Sequence, residues 1–384
     1  MRKKETIMLV GVGELGGIVL ELLARVPGIC DIVVADANAE WGRAKTNSAI
    51  EGASYAGLYP RIEFSPIDLL NVEKTAEFLA KHDPTIIYNS TSLQSWWVVN
   101  ELPPAVRDQR SKDRCGLGPW IAMHLALAAK LMKAVKLSGI NTYVVNAAFP
   151  DVTNPSLARV GMEPTVGIGN IDLIIPYIKK AAAELLGVPM RNVGVELIAH
   201  HYHAYHWCRA GDGYDAPNYL RVSVGGQDVT GDLGDLREFV AELPKRGRRP
   251  AGRHGQFVVA ASSAKNILDI YNDTGEISHA PGPQGLEGGY PVRLSRRGAE
   301  VVPPKGMTCA EARAIMVKAQ EWDGIAEIRD NGDVVLTEEA HTTFKQMLNV
   351  DQRVVTVEDA YEQAKELRSK FEEFARQQGV EIPR

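Results

Sequence analysis

Val10-Gly11-Val12-Gly13-Glu14-Leu15-Gly16 is a glycine-spaced turn set between an apolar run at 7–11 and a helical pattern at 14–25. Each glycine of this GxGxxG spacing has its own role. Gly11 permits the tight turn, Gly13 lets the backbone approach a diphosphate, and Gly16 allows the helix to lie close to the strand. A helix starting at Glu14 and Leu15 offers free N–H groups and the positive end of its dipole to the phosphates. Asp36 closes the second apolar run, twenty residues past Gly16. A carboxylate there accepts hydrogen bonds from an adenosine ribose and repels a 2′-phosphate, so the pattern predicts NAD rather than NADP as cofactor. Arg43, on the next helix, works slightly against that preference. The bland alternative is a glycine turn that binds nothing; the strand before it, the helix after it and Asp36 argue against that.

Outward from this turn, residues 1–150 alternate short apolar runs with helical patterns. Strands are expected at 7–11, 31–35, 61–65, 85–88 and 142–145, and helices at 14–25, 39–51, 72–82 and 118–137. That alternation is the signature of an α/β unit, an N-terminal Rossmann doubly wound parallel sheet. The stretch 89–116 is too polar and proline-broken for a helix and too long for an idle connection. It follows the fourth strand, and ligands of open α/β sheets bind outside the carboxyl ends of strands. Its Trp96-Trp97 pair is therefore expected at the mouth of a site, as an apolar wall for substrate or as a loop anchor.

The whole chain fits an ordinary globular protein. Its 384 residues are 45% hydrophobic and 24% charged, without low-complexity tracts or repeats, and the length predicts two parts: 1–150 and 151–384. A net charge of -5 gives no reason to expect nucleic acid or a membrane surface as partner. The basic clusters at 245–253 and 293–297 read as solvated loops. No run approaches the ~18 apolar residues of a spanning helix. Cys30, Cys115, Cys208 and Cys309 are far apart with no CxxC pair, which predicts free thiols and a cytoplasmic protein.

The second part reads as an α+β substrate domain. A helix around 172–186 leads to a strand at 193–198, followed by the histidine-dense run 200–207. The run sits at the end of that strand, where consecutive residues face opposite sides, so His201 and His203 share one face and His200 points away. His200, His201, His203, His206 and Cys208 together also raise the question of a metal site. Beyond lie a hairpin with a strand at 220–224, a helix at 257–271 and strands at 276–279 and 290–295. The tail from 303 carries helices at 309–322, 337–348 and 357–377 and a small hairpin turning at Asp330-Asn331-Gly332. The tail is expected to add a layer or a dimerisation element.

Several segments, in order, resemble the lactate/malate dehydrogenase family over roughly residues 5–300. After the glycine turn come Val144-Val145-Asn146-Ala147-Ala148-Phe149-Pro150-Asp151, similar to that family's strand-Asn-Pro-Val-Asp segment, and Ile171-Asp172, opening a helix that ends Glu184-Leu185-Leu186-Gly187-Val188. Ala199-His200-His201-Tyr202-His203 stands where the family has Gly-Gly-His-Gly-Asp. Gly285–Tyr290 and Pro291-Val292-Arg293-Leu294-Ser295 resemble its late strands.

The resemblance implies an NAD-dependent dehydrogenase with Asp172 and His201 as an acid/base dyad and Asn146 beside the cofactor. It implies that Arg114, one of three arginines with Arg107 and Arg110 in the long loop, polarises the substrate carbonyl. It supplies no metal, and it suggests a homodimer or homotetramer. Ile175 departs from the family, which has there an arginine that grips the substrate carboxylate. With Trp96, Trp97, Tyr202 and His203 expected around the pocket, the substrate is expected to be a hydroxy compound bulkier or less acidic than lactate or malate. Competing readings are an NAD-using glycosidase of the fourth family, an opine- or saccharopine-type dehydrogenase, and an NAD-binding regulatory protein without turnover.

Overall fold

A computed structural model describes residues 5–107, 115–250 and 252–382. In chain order the first elements are β1 (Thr6–Val10), α1 (Glu14–Ala24), β2 (Asp31–Asp36), α2 (Ala39–Ser54), β3 (Ile62–Pro66), α3 (Val72–His82), β4 (Ile86–Asn89), α4 (Ile121–Ser138), β5 (Tyr143–Asn146), α5 (Pro150–Arg159) and β6 (Val166–Gly167). Their six strands form one sheet in the order β3-β2-β1-β4-β5-β6. Every pair in it is parallel. This is the doubly wound Rossmann order, which reverses between β1 and β4 and opens a crevice at their carboxyl ends. The sixth strand comes from beyond residue 150.

The period-two alternation explains why these runs are apolar throughout. In β1, Met8 and Val10 enter the core on one side of the sheet, while Ile7 and Leu9 enter the core on the other. With helices on both faces the central strands are buried almost throughout, each buried apolar side chain contributing roughly 1.5–3 kcal/mol, while the edge strand β3 exposes Glu63 and Pro66. Asn38 and Asn71 cap α2 and α3 through their side-chain oxygens, which places those helix starts where the sequence predicts them.

The second part contains α6 (Ile171–Leu186), β7 (Val193–Ile198), α7 (His201–Tyr205), β8 (Tyr219–Val224), β9 (Gln227–Asp228), α8 (Leu236–Gly247), α9 (Gln256–Tyr271), β10 (Ile277–Pro281), β11 (Gly289–Ser295) and β12 (Gly298–Val301). Its strands make two small antiparallel sheets, β7-β8-β9 and β10-β11-β12. Two elements differ from the expectation. The histidine run is a helix rather than a strand extension, and its first N–H, that of His201, is satisfied from a distance by the Asp151 carboxylate at 2.8 Å. The start of the basic run at 245–253, expected as a loop, is the last turn of α8, whose N-terminus Asp235 caps.

The tail adds α10 (Cys309–Ala319), β13 (Ile325–Ile328), β14 (Val334–Leu336), α11 (Glu338–Leu348), β15 (Val354–Val355) and α12 (Ala360–Gln377). The β13–β14 hairpin turns where Asp330-Asn331-Gly332 predicts, with Gly332 at φ 85°. The tail lies against the Rossmann part. Phe371 of α12 meets Trp120 edge-on at 4.8 Å, and Arg368 donates to the Leu93 carbonyl in the loop after β4.

Candidate active site

A cleft of about 640 Å³ runs along the carboxyl ends of the parallel strands, and one wall of it is the glycine turn. Gly11 sits at φ 85°, and a Cβ there would lie 2.8 Å from the Thr91 methyl. Gly16 is closed by contact: a Cβ would stand 2.0 Å from the Gly11 carbonyl oxygen. Gly13 is the opposite, with nothing within 4 Å of the place a Cβ would take. No side chain caps the N-terminus of α1. An open glycine beside uncapped helix N–H groups is the cradle a diphosphate requires.

Glu14, Leu15 and Asp36 line the same wall. Asp36 accepts the Val12 and Asn38 backbone N–H groups, both at 2.8 Å, so its carboxylate braces the glycine turn as well as facing the cleft. Glu14 places a negative charge on the first turn of α1, where it would repel phosphate. Arg253 pairs with it at 2.9 Å and offsets that charge. Asn146 does not face the cleft. It is buried, and its amide is used on Asn89, Thr153, Asn154 and the Ala148 N–H, so the cofactor-side residues at the end of β5 are Ala147 and Ala148.

At the other end of the cleft the geometry departs from the expected dyad. Asp172 is turned toward α9, where it accepts from Ser262 at 2.6 Å and from the Lys265 ammonium at 2.7 Å. It clamps α6 to α9 and is not paired with a histidine. The partner of His201 is Asp323, on a short 3-10 turn that follows α10. Nδ1 of His201 lies 2.7 Å from Asp323 Oδ2, and His200 Nδ1 approaches the same oxygen at 3.3 Å. The other oxygen of Asp323 accepts the Leu117 N–H at 2.9 Å. With Nδ1 occupied, Nε2 is the His201 ring nitrogen left for the cleft, which the ring lines.

The electrostatics follow from this burial. Burial opposes the charged form of His201, but the charge and hydrogen bond of Asp323, aided by Asp151, outweigh it and raise the pKa above the ordinary histidine value. Burial likewise opposes an ionised Asp323, yet the two histidines hold it far below the usual carboxylate range. Asp151 is shifted upward, chiefly by burial. His124, on α4, is driven down to about 3 by burial and by the nearby charge of His201. Its ring is 5% exposed and lines the cleft, and neither nitrogen has a hydrogen-bond partner among the described residues.

Two backbone outliers frame these groups. Phe149, at φ 45°, lies edge-on to His201 with centroids 5.0 Å apart, and Asn170, at φ 49°, donates to Asp151. Non-glycine residues held in left-handed backbone cost of order 1–3 kcal/mol each and persist where the surroundings over-determine them.

The remaining expected pocket residues divide. Trp96, Trp97 and Tyr202 line the cleft; Trp97 is buried under the Arg253 guanidinium, and Tyr202 stacks on His206 at 3.8 Å. Ile175 and His203 do not reach it. Ile175 packs in the core of the second part, and His203 is buried with its ring nitrogens on the His200 N–H and the Ala216 carbonyl. The helical turn of α7 explains the difference: residues two apart on a helix point to nearly opposite sides, where on a strand they would share a face. Among the described residues no group of three His, Cys, Asp or Glu side chains is placed to hold a metal ion. Arg110 and Arg114 fall outside the described residues, whereas Arg107 lines the cleft. The basic run at 245–253 is more than a solvated loop, because Arg249 lines the cleft and Arg253 bridges Glu14 and Trp97.

Sequence reasoning missed Asp323, His124, Arg209 and Arg249. The Asp323–His201 pair spans 122 residues, and no local spacing signals it.

The fold is shared with solved dehydrogenases. Malate dehydrogenase from Plasmodium falciparum in complex with NADH matches with a TM-score of 0.55 at 16% identity, covering 82% of this chain and 94% of that one. Lactate dehydrogenase from Cryptosporidium parvum, complexed with lactic acid and NAD, matches at 0.56 and 15% identity over 84% and 97%. Lactate dehydrogenase from Eimeria maxima with NADH and oxamate matches at 0.56 and 13% identity over 84% and 92%. No family model matches the chain, and no curated protein matches it in sequence.

Proposed function

We propose that this protein is an NAD-dependent dehydrogenase that interconverts a secondary alcohol and its ketone, with His201 as acid/base and Asp323 as the residue that positions it. The observation that carries the reading is the His201–Asp323 pair standing in the same cleft as an open, uncapped glycine turn.

NAD, when bound along Gly11–Gly16, supplies the hydride acceptor. The chain's own residues do the rest. Asp323 accepts from Nδ1–H of His201, which fixes the tautomer whose Nε2 lone pair faces the cleft. In oxidation Nε2 takes the hydroxyl proton as the carbinol carbon gives up its hydride, leaving a ketone; in reduction it returns that proton. The resulting imidazolium is stabilised by Asp323 and, further off, Asp151. His124, held neutral, donates a hydrogen bond to the substrate oxygen. Trp96 and Tyr202 supply apolar wall. Because Ile175 is buried away from the cleft, its lack of charge places no limit on the acidity of the substrate.

The test is titration of the protein with NAD and NADP, followed by an absorbance screen at ~340 nm with NAD against hydroxy acids, sugars and aryl alcohols. The reading expects tighter binding of NAD and NADH production that His201→Ala lowers by about 10²–10⁴-fold. Failure of both nucleotides to bind would remove it. Light scattering tests the expected homodimer or homotetramer.

A further inference from the structure

The segment that begins at His201 lines the cleft well beyond the histidine itself. After α7 the chain makes a π-turn over His206–Ala210, closed by the Gly211 N–H on the His206 carbonyl at 2.7 Å. Such turns occur mostly as single insertions in helices, frequently at functional sites. This one carries Arg209 onto the cleft, about two helical turns or 10–12 Å along the segment from His201. Arg249, arriving after α8, lines the same place.

Most of the neighbouring arginines of this part have a carboxylate. Arg221 pairs with Glu196 and Asp228, Arg237 with Asp215, Arg246 with Glu184 and Arg253 with Glu14. Arg209 and Arg249 have none among the described residues. The acid nearest in sequence, Asp212, is bonded to His206. What holds the two guanidinium groups is uncharged: Arg209 donates to the Pro250 carbonyl at 3.2 Å, and Arg249 lies 5.0 Å over the Tyr177 ring. Burial, and then the charge of Arg249, lower the pKa of Arg209. Two half-buried like charges facing one cavity repel each other until an anion sits between them, and planar guanidinium forks suit carboxylate and phosphate oxygens.

We propose that Arg209 and Arg249 form an anion subsite, so that the substrate is a secondary alcohol or ketone carrying a carboxylate or phosphate several bonds from its reacting carbon. The inference rests on the dehydrogenase reading for the reacting end, and the subsite itself is independent of turnover. An α-hydroxy acid has its carboxylate one bond from the reacting carbon, whereas about 10–12 Å of helical segment separates Arg209 from His201, so the proposal expects the anion it holds to lie farther from the hydroxyl.

The test uses four probes: lactate, a longer hydroxy acid with its carboxylate about four bonds from the carbinol, the matching phosphate ester, and the neutral diol. Steady-state rates are paired with calorimetric titration of the NADH complex by the corresponding ketones. The proposal expects the distal anions to bind at least tenfold tighter than the neutral compound, and the stronger of the two identifies carboxylate or phosphate as the group taken. Arg209→Gln and Arg249→Gln should each erase that advantage, raising KM with little change in kcat, and leave NAD affinity within twofold of wild type. Arg249→Gln alone decides the matter if Arg209→Gln does not fold. Equal binding of anionic and neutral ketones, or an advantage that survives Arg249→Gln, overturns the subsite whether or not alcohols are oxidised. Selective anion binding without NADH production from any alcohol supports the subsite and removes the dehydrogenase reading instead.

Discussion

The two ends of the cleft are assembled in opposite ways. The nucleotide end is local: Gly11, Gly13, Gly16 and Asp36 lie within one strand–helix–strand unit, where Gly16 lies against the Gly11 carbonyl and Asp36 holds the Val12 N–H. The histidine end gathers α4, the start of α5, α7 and the turn after α10 around one carboxylate. A site of the first kind can be read from spacing, whereas a site of the second kind exists only after the tertiary fold has formed.

The sharpest way to break this contrast is Asp323→Asn. If the histidine end depends on that distant carboxylate, the kcat of oxidation falls by about 10²–10⁴-fold, the size expected when an acid/base loses its orienting group, while NAD affinity stays within about twofold. The pH profile carries the same information. Oxidation needs neutral His201, so the rate rises with pH, and its midpoint lies above the ordinary histidine value because Asp323 favours the charged ring. Without that carboxylate, burial dominates and the midpoint of the residual activity moves to lower pH. An unmoved midpoint would mean that Asp323 does not control the titrating group.

At the nucleotide end, two glycines separate folding from binding. Gly16→Ala forces a methyl group onto the Gly11 carbonyl and should destabilise the protein by about 1–3 kcal/mol in denaturant melts. Gly13→Ala meets open space but at φ -63° and ψ -150°, at the edge of what an L-residue adopts, so stability should change by less than about 1 kcal/mol while NAD affinity drops about tenfold or more. Unchanged affinity in that variant would mean that no diphosphate approaches there.

The smallest effect is expected from Asp172→Asn. Its pair with Lys265 is partly exposed, so its removal should cost about 0.2–1 kcal/mol and leave the pH midpoint of oxidation unchanged. Loss of activity comparable to Asp323→Asn would return the acid/base role to Asp172.

The same contrast explains what could be read in advance. The strands at 7–11 and 31–35 are legible from their apolar runs, the helix at 14 from the glycine spacing before it, and the helices at 39 and 72 because apolar period and a preceding asparagine agree. The histidine run is not. His200 occupies the N-cap, a position usually marked by Ser, Thr, Asp or Asn, and the carboxylate that satisfies the first helical N–H belongs to Asp151. With no start signal, the β-branched pattern of β7 was extended too far, and the facing of His203 was wrong as a result. Asp172 resembled a dyad member in local sequence, yet Lys265 of α9 takes its charge. Ile175 was read as a pocket residue because its neighbours matched a motif, although its side chain faces the core of the second part.

The reach of Asp323 across the molecule also bears on the order in which the protein becomes competent during synthesis. Domains generally form from the N-terminus as the chain emerges. The parallel sheet and its glycine turn lie in the first half of the chain, but one face of that sheet packs on Ala260, Ile267 and Met316 and the other on Phe344 and Phe371. His201 then has no carboxylate until the turn after α10 has been made and has docked on the Leu117 N–H. Neither end of the cleft is therefore complete until the tail has docked, so an incomplete chain lacks both the packed nucleotide cradle and the acid/base pair.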